Sequence, residues 1–166
     1  MPMPDVDVVV IGAGVTGLAC ARAIAASGRS VCLIERLRAA GMATSTHNSG
    51  VIHGGLYYPA GTLKARLCVR GAPLLYEFCA THGVPHARCG KFVTAADEGE
   101  MPALEALLAR GKENGVPGLQ LVDAAFVQVR EPHVQAHAAI WSPNSGIVEP
   151  EALVRALSRA CDALGV

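Results

Sequence analysis

Residues 7–35 read DVVVIGAGVTGLACARAIAASGRSVCLIE, and no other stretch restricts the fold so tightly. Asp7 to Gly12 is a short β-branched run that stops at glycine, which reads as a buried strand. Small residues at helical spacing follow from Val15, and Gly28 stands where that helix should stop. Ser30 to Glu35 reads as a second buried strand. Strand, helix and strand in so short a span form a βαβ unit, whose two strands run parallel with a right-handed crossover.

The join between the first strand and the helix is GAGVTG, which sets Gly12, Gly14 and Gly17 in the pattern GxGxxG. Each glycine answers a different demand. Gly12 permits the tight turn off the strand, Gly14 lets backbone approach a pyrophosphate, and Gly17 lets the helix pack close to the sheet. Behind them the helix start, Val15 and Thr16, offers unpaired N–H groups and a positive dipole end to phosphate. Glu35 follows Gly17 by eighteen residues, at the end of the second strand, where an acid can accept hydrogen bonds from a ribose diol. Glu35 also opposes a 2′-phosphorylated cofactor, although Arg36 and Arg38 lie beside it. These residues alone do not choose between NAD and FAD, and a glycine-rich turn that binds nothing is the plainer alternative.

Further along, residues 36–61 hold no period and read as a long loop, of the kind that is usually functional or disordered. A helix follows, capped by Thr62 and kinked at Pro73. CGKFVTAA reads as a strand, and a helix runs from near Pro102 to Gly115. LQLVDAAFVQVREPHV reads as a short strand and then a helix ended by Pro132, and AAIWSP as another strand. EPEALVRALSRACDALG is an amphipathic helix with Pro150 in its first turn. Gly165 and Val166 close that helix and begin what should be a further strand. A parallel sheet of two or three strands cannot cover both its faces, so a fragment of a longer protein is expected.

Composition narrows the functional classes. The 166 residues are 51% apolar and carry 14 basic and 14 acidic groups, so disorder and a nucleic-acid surface are not expected. The six cysteines form no CxxC and no metal-ligand rhythm. They read as free, buried thiols of a reducing compartment, Cys20 and Cys32 included, and no metal is expected. His82, His86, His133 and His137 lack ligand-spaced partners and read as surface or helix-end residues. No apolar run is long enough to cross a membrane, and the N-terminus lacks a basic region and a long apolar stretch. A cytoplasmic protein is expected, with peripheral contact at the inner membrane left open.

Residues 7–36 resemble the extended N-terminal fingerprint of FAD-dependent oxidoreductases of the D-amino-acid-oxidase-like superfamily. STHNSGVIHGGLYYPAGTLKARLC, from Ser45, resembles the L-2-hydroxyglutarate dehydrogenase/oxidase branch, as do RCGKFVTA and SGIVEPEALVRAL. The resemblance covers nearly the whole chain but about the first half of such enzymes. It implies an α/β fold: a Rossmann-like FAD-binding domain begun over 1–83, part of an inserted α+β substrate domain over 84–142, and a return helix over 143–166. FAD-dependent glycerol-3-phosphate dehydrogenases resemble the same loop but carry arginine where this chain has Tyr57. Tyr57 supplies no charge, so a phosphate substrate fits less well.

The resemblance also implies that the loop containing His53 runs along the flavin, with Gly54 and Gly55 clearing space for the ring. Three roles stay open for His53: proton acceptor from a substrate hydroxyl, hydrogen-bond partner of cofactor or loop, and covalent flavin tether. Thr44, Ser45 and Ser49 are candidate donors to pyrophosphate or ribityl hydroxyls, with His47 and Asn48 in the same loop. Tyr57 or Tyr58 could orient a substrate carboxylate, and Lys64 and Arg66 are candidate cations for a dicarboxylate. The expected reaction is oxidation of a 2-hydroxy acid, L-2-hydroxyglutarate foremost, with electrons passing through FAD to oxygen or a membrane quinone chain. The rivals are an amino-acid or amine oxidase of the same fold, and an inactive fragment that only binds dinucleotide.

Overall fold

A computed structural model describes residues 6–166. The chain divides into two compact units: one runs through Gly50 and adds Cys79–Pro85 and Val148–Val166, and the other comprises Val51–Phe78 and His86–Ile147.

In the first unit, β1 (Val8–Ile11) and β2 (Val31–Ile34) pair in parallel, with Val8 opposite Val31 and Ile11 opposite Ile34. Between them runs α1 (Val15–Ala25), and Gly28 ends its last turn at φ +86°. The βαβ start is therefore present as expected. α1 packs on α5 (Pro150–Asp162), and Leu18 and Ala21 of α1 are buried together with Leu153, Val154, Leu157 and Cys161 of α5. The Cys161 thiol donates to the Leu18 carbonyl at 3.3 Å. α5 starts where its sequence suggests: Pro150 sits in the first turn, and the Glu149 carboxylate accepts from the N–H groups of Glu151 and Ala152.

The second unit is built on an antiparallel sheet in which β7 (Ala138–Ser142) lies between β5 (Lys91–Ala95) and β6 (Gln120–Asp123). One face carries α3 (Met101–Glu113), whose Leu104 and Leu108 close over Ala95, Ala138 and Ile140. Complete burial of a side chain such as Ile140 is worth roughly 1.5–3 kcal/mol. Phe92, Phe126 and Trp141 cluster elsewhere on the sheet, with the Phe92 and Trp141 rings 4.6 Å apart. Phe126 belongs to α4 (Ala124–Arg130), whose first turn is capped by Asp123.

Three short strands escape the sequence periodicity. β3 (Val51–Ile52) lies in the stretch expected to be loop and pairs antiparallel with β8 (Gly146–Val148), and β4 (His86–Ala87) completes that sheet. Two or three residues are too few to display a period of two. α2 (Leu63–His82) begins at its expected cap, where Thr62 Oγ1 accepts from Ala65 N–H at 3.3 Å, and it continues past Pro73. The cysteines differ from expectation. Cys79 and Cys161 are buried, but Cys20 and Cys89 are exposed and Cys32 and Cys68 partly so. Cys20 lies between Leu18 and Ala21 in sequence and so faces away from the side of α1 that they bury.

Candidate active site

The glycine turn of the first unit shows three separate constraints. Gly12 has φ +100°, a conformation that suits glycine, and nothing lies within 4 Å of where its β-carbon would be. At Gly17 a β-carbon would fall 1.8 Å from the Gly12 carbonyl oxygen, so α1 crosses the turn too closely for any side chain. At Gly14 it would meet Ser45 Oγ at 2.9 Å. That hydroxyl accepts from Val15 N–H at 3.1 Å, in the first turn of α1.

Glu35 closes the other side of the turn. Its Oε2 accepts from Ala13 N–H at 2.8 Å and its Oε1 from Leu37 N–H at 2.9 Å. The Leu37 and then the Ala13 hydrogen bonds hold the carboxyl below its ordinary value, so it is ionised at neutral pH. Each oxygen retains a lone pair for a further donor. Among the described residues, no hydrogen bond reaches the N–H groups of Gly14, Thr16 or Gly17. An open positive-φ glycine, spare amides at a helix start and an ionised carboxylate suit the diphosphate and ribose of an adenine dinucleotide such as FAD.

The chain between β2 and β3 folds back on this turn. Gly41 N–H donates to the Ala13 carbonyl at 3.0 Å, and one 3₁₀ turn, Thr44–Thr46, carries Ser45 to Val15. Asn48, a candidate for cofactor contact, has its amide engaged within the loop. Its Nδ2 donates to the carbonyls of Thr44 and Ser45, and its Oδ1 accepts from Gly50 N–H. His47 Nδ1 donates to the Ala43 carbonyl at 2.8 Å. Arg36, Thr44 and Ser49 are exposed.

The second unit gathers the other candidates. His53 follows β3 and is exposed as a residue, yet neighbouring protein partly desolvates its ring. That desolvation, then the charge of Lys91, then that of Lys64, hold the imidazole below its ordinary value. Lys91 Nζ lies 4.4 Å from the centroid of the Tyr57 ring, and Lys64 Nζ lies 4.4 Å from that of Tyr58. Arg66, paired with Lys64 on sequence proximity, is exposed two residues further along α2, a spacing that does not share a helix face. Lys91 arrives instead from the start of β5. Its remoteness in sequence left no local signal to find it.

The protein itself gives Gly55 a reason to be glycine that the sequence does not display. Gly55 has φ +96°, and a β-carbon there would meet Val69 at 2.9 Å and the Ala65 carbonyl at 3.2 Å. Within the folded chain the close object at Gly55 is α2. A β-carbon on Gly54 would make ordinary contact with Val116 at 3.4 Å, so packing alone does not demand glycine there. Gly54 edges an apolar cleft of about 180 Å³ that also touches Pro73, Tyr76, Arg88 and Pro117. Asn114, at the end of α3, pins the tyrosine loop: its Nδ2 donates to the carbonyls of Gly55 and Tyr58, each at 2.9 Å. Sequence reasoning had no means of finding this residue.

Three comparisons bear on this arrangement. Residues 7–166 match the family described as FAD dependent oxidoreductase (DAO). The chain is 43% identical over 150 residues to the mitochondrial L-2-hydroxyglutarate dehydrogenase of Nematostella vectensis, covering 89% of this chain and 33% of that protein. For the Homo sapiens enzyme of the same name the identity is 42% over 145 residues, covering 86% and 31%. The chain thus spans about a third of the length of these relatives. Among solved structures, L-α-glycerophosphate oxidase from Mycoplasma pneumoniae with FAD bound superposes with a TM-score of 0.89 at 27% identity, covering 98% of this chain and 44% of that one. Glycine oxidase from Geobacillus kaustophilus shares the fold, with a TM-score of 0.82 at 21% identity and coverage of 96% and 45%. With its parallel βαβ start and its match from residue 7 to residue 166, the chain belongs to the DAO family of FAD-dependent oxidoreductases.

Proposed function

We propose that this chain supplies the dinucleotide grip and part of the substrate side of an enzyme that oxidises a 2-hydroxy acid, foremost L-2-hydroxyglutarate, to the 2-oxo acid. The observation that carries this reading is the composition of the loop around His53. It offers an imidazole held neutral at physiological pH, two tyrosine hydroxyls and two ammonium groups, with no arginine at Tyr57. That set suits a carboxylate-bearing alcohol better than a phosphate ester. The identity to L-2-hydroxyglutarate dehydrogenases supports the same substrate class.

FAD, when bound, supplies the acceptor for the hydride that leaves the carbinol carbon. Gly14, Thr16 and Gly17 offer N–H groups to its diphosphate, and Glu35 offers lone pairs to its ribose. Ser45 can exchange its bond to Val15 for one to a phosphate oxygen. Arg36, Thr44 and Ser49 are exposed side chains able to contact the cofactor, whereas Asn48 holds the loop that carries them. His53 accepts the hydroxyl proton of the substrate on a ring nitrogen as the carbonyl forms. Tyr57 and Tyr58 orient the adjacent carboxylate through their hydroxyls. The division into a cofactor domain over 1–83 and 143–166 and a substrate segment over 84–142 belongs to this proposal, as does transfer of electrons to oxygen or a membrane quinone. Among the described residues no helix is long and apolar enough to cross a membrane, and the relatives named above are mitochondrial.

The test is anaerobic reduction of the flavin in the purified protein by a panel of 2-hydroxy acids, amino acids and glycerol 3-phosphate. Bleaching by L-2-hydroxyglutarate supports the reading. Bleaching by amino acids alone transfers the chain to the amino-acid oxidases of the same fold. Bound flavin that no substrate bleaches supports a fragment that only binds dinucleotide.

A further inference from the structure

We propose that Lys64 and Lys91 are specificity-determining residues: their ammonium groups, resting on the adjacent rings of Tyr58 and Tyr57, each take one carboxylate of a dicarboxylate ligand. The proposal rests on the 2-hydroxy-acid reading and narrows it to substrates with a second anionic end.

Four observations carry it. The two cations lie at equal distances, 4.4 Å, from rings that are neighbours in the chain. They come from independent elements, α2 and β5, so a single helix face presented to water does not explain them. Among the described residues neither lysine forms an ion pair with a carboxylate. Both act electrostatically on the same imidazole, that of His53, so each lies within electrostatic reach of the same ring. A ring face holds an ammonium weakly, whereas a carboxylate shielded from water holds it through a charge-assisted hydrogen bond. The tyrosine rings are thus resting positions from which each lysine can swing to an anion at little cost. Two such cations, with no carboxylate partner among the described residues, match the two charges of a dicarboxylate. A monocarboxylate would leave one unpaired, and specificity for the second acid group follows.

Glutarate, which has both carboxylates and no oxidisable hydroxyl, is the probe. Titrated into the flavin-loaded protein and followed by the flavin absorbance difference, it should bind about tenfold more weakly to Lys91→Gln and to Lys64→Gln than to the parent. Butyrate binding should change much less in at least one of the two variants, and Lys91→Arg should restore part of the glutarate affinity. Equal affinity of both Gln variants and the parent for glutarate overturns the proposal. So does an equal loss for glutarate and butyrate in both variants. Because glutarate is not turned over, this result is independent of the oxidation test. A protein that oxidises no hydroxy acid yet shows the lysine-dependent preference refutes only the reading of activity.

Discussion

A β-carbon on Gly17 would lie 1.8 Å from the carbonyl oxygen of Gly12. The obstructing atom is backbone, so no rotamer change relieves it. Gly17→Ala must push α1 off the strand, with a cost in stability of about 1–3 kcal/mol and a loss of FAD retention. Gly12→Ala meets no atom, yet its φ of +100° is strained for alanine, at about 1–3 kcal/mol. Thermal melting of the two variants, with flavin content measured on each, checks both figures. Parent-like melting and flavin content in Gly17→Ala would remove the steric account.

Glu35 joins the turn to the strand end through two backbone donors, Ala13 and Leu37. In Glu35→Gln one oxygen is replaced by an NH₂ group, which cannot accept, so one of those bonds is lost, together with the charge. The expected outcome is weaker FAD binding with a modest change in melting temperature. The carboxyl lies below its ordinary value in the folded chain, so its contribution is present above the unfolded value, near 4.5, and is lost as pH falls through the folded one. The acid limb of a stability–pH curve should therefore be shallower in Glu35→Gln.

What the sequence discloses is what contiguous residues encode. The turn Gly12–Gly17, the stop at Gly28, the Thr62 cap and the Pro150 start each depend on neighbours within a few positions. β3 and β4 are two residues long and show no pattern at all. Lys91 and Asn114 join the tyrosine loop only because β5 and α3 are folded beside it. Gly55 shows a subtler failure. The need for glycine is visible in the sequence, but its cause, the Ala65 carbonyl and Val69 of α2, is not.

Asn114 offers a test of that folded-in control. Its Nδ2 faces two carbonyl oxygens, so the side-chain atom at that place must be a hydrogen-bond donor. Asn114→Ala should lose about 1–3 kcal/mol and lower kcat as the Gly55–Tyr58 loop loosens. Asn114→Asp keeps the shape but brings carboxylate oxygen against carbonyl oxygen, so it should be worse than alanine at neutral pH and improve as the carboxyl protonates. Measuring melting temperature and kcat for both variants across pH decides this. An aspartate variant as stable as the parent at neutral pH would contradict the donor assignment.

On the proposed function, the imidazole of His53 gives the pH dependence. Its value lies below the ordinary 6.5 because of partial desolvation first, then Lys91 and Lys64. The unfolded chain therefore takes up this proton before the folded chain does. The stability contribution of His53 is complete above about 6.5 and is lost as pH falls through the folded value. The same shift keeps the ring able to accept a proton under mildly acidic conditions, so the acid limb of kcat/KM should fall below 6.5. In Lys91→Gln that limb should move up toward 6.5 without reaching it, because desolvation is the larger cause and Lys64 remains. Imidazole C–H shifts followed by NMR titration report the same movement without reference to turnover. His53→Gln should lower kcat roughly a hundredfold to ten-thousandfold while flavin content holds. Loss of the flavin from His53→Gln alone, with parent flavin surviving acid precipitation of the protein, would instead mark a covalent tether at the imidazole. Unchanged kcat in His53→Gln would remove the residue from the chemistry.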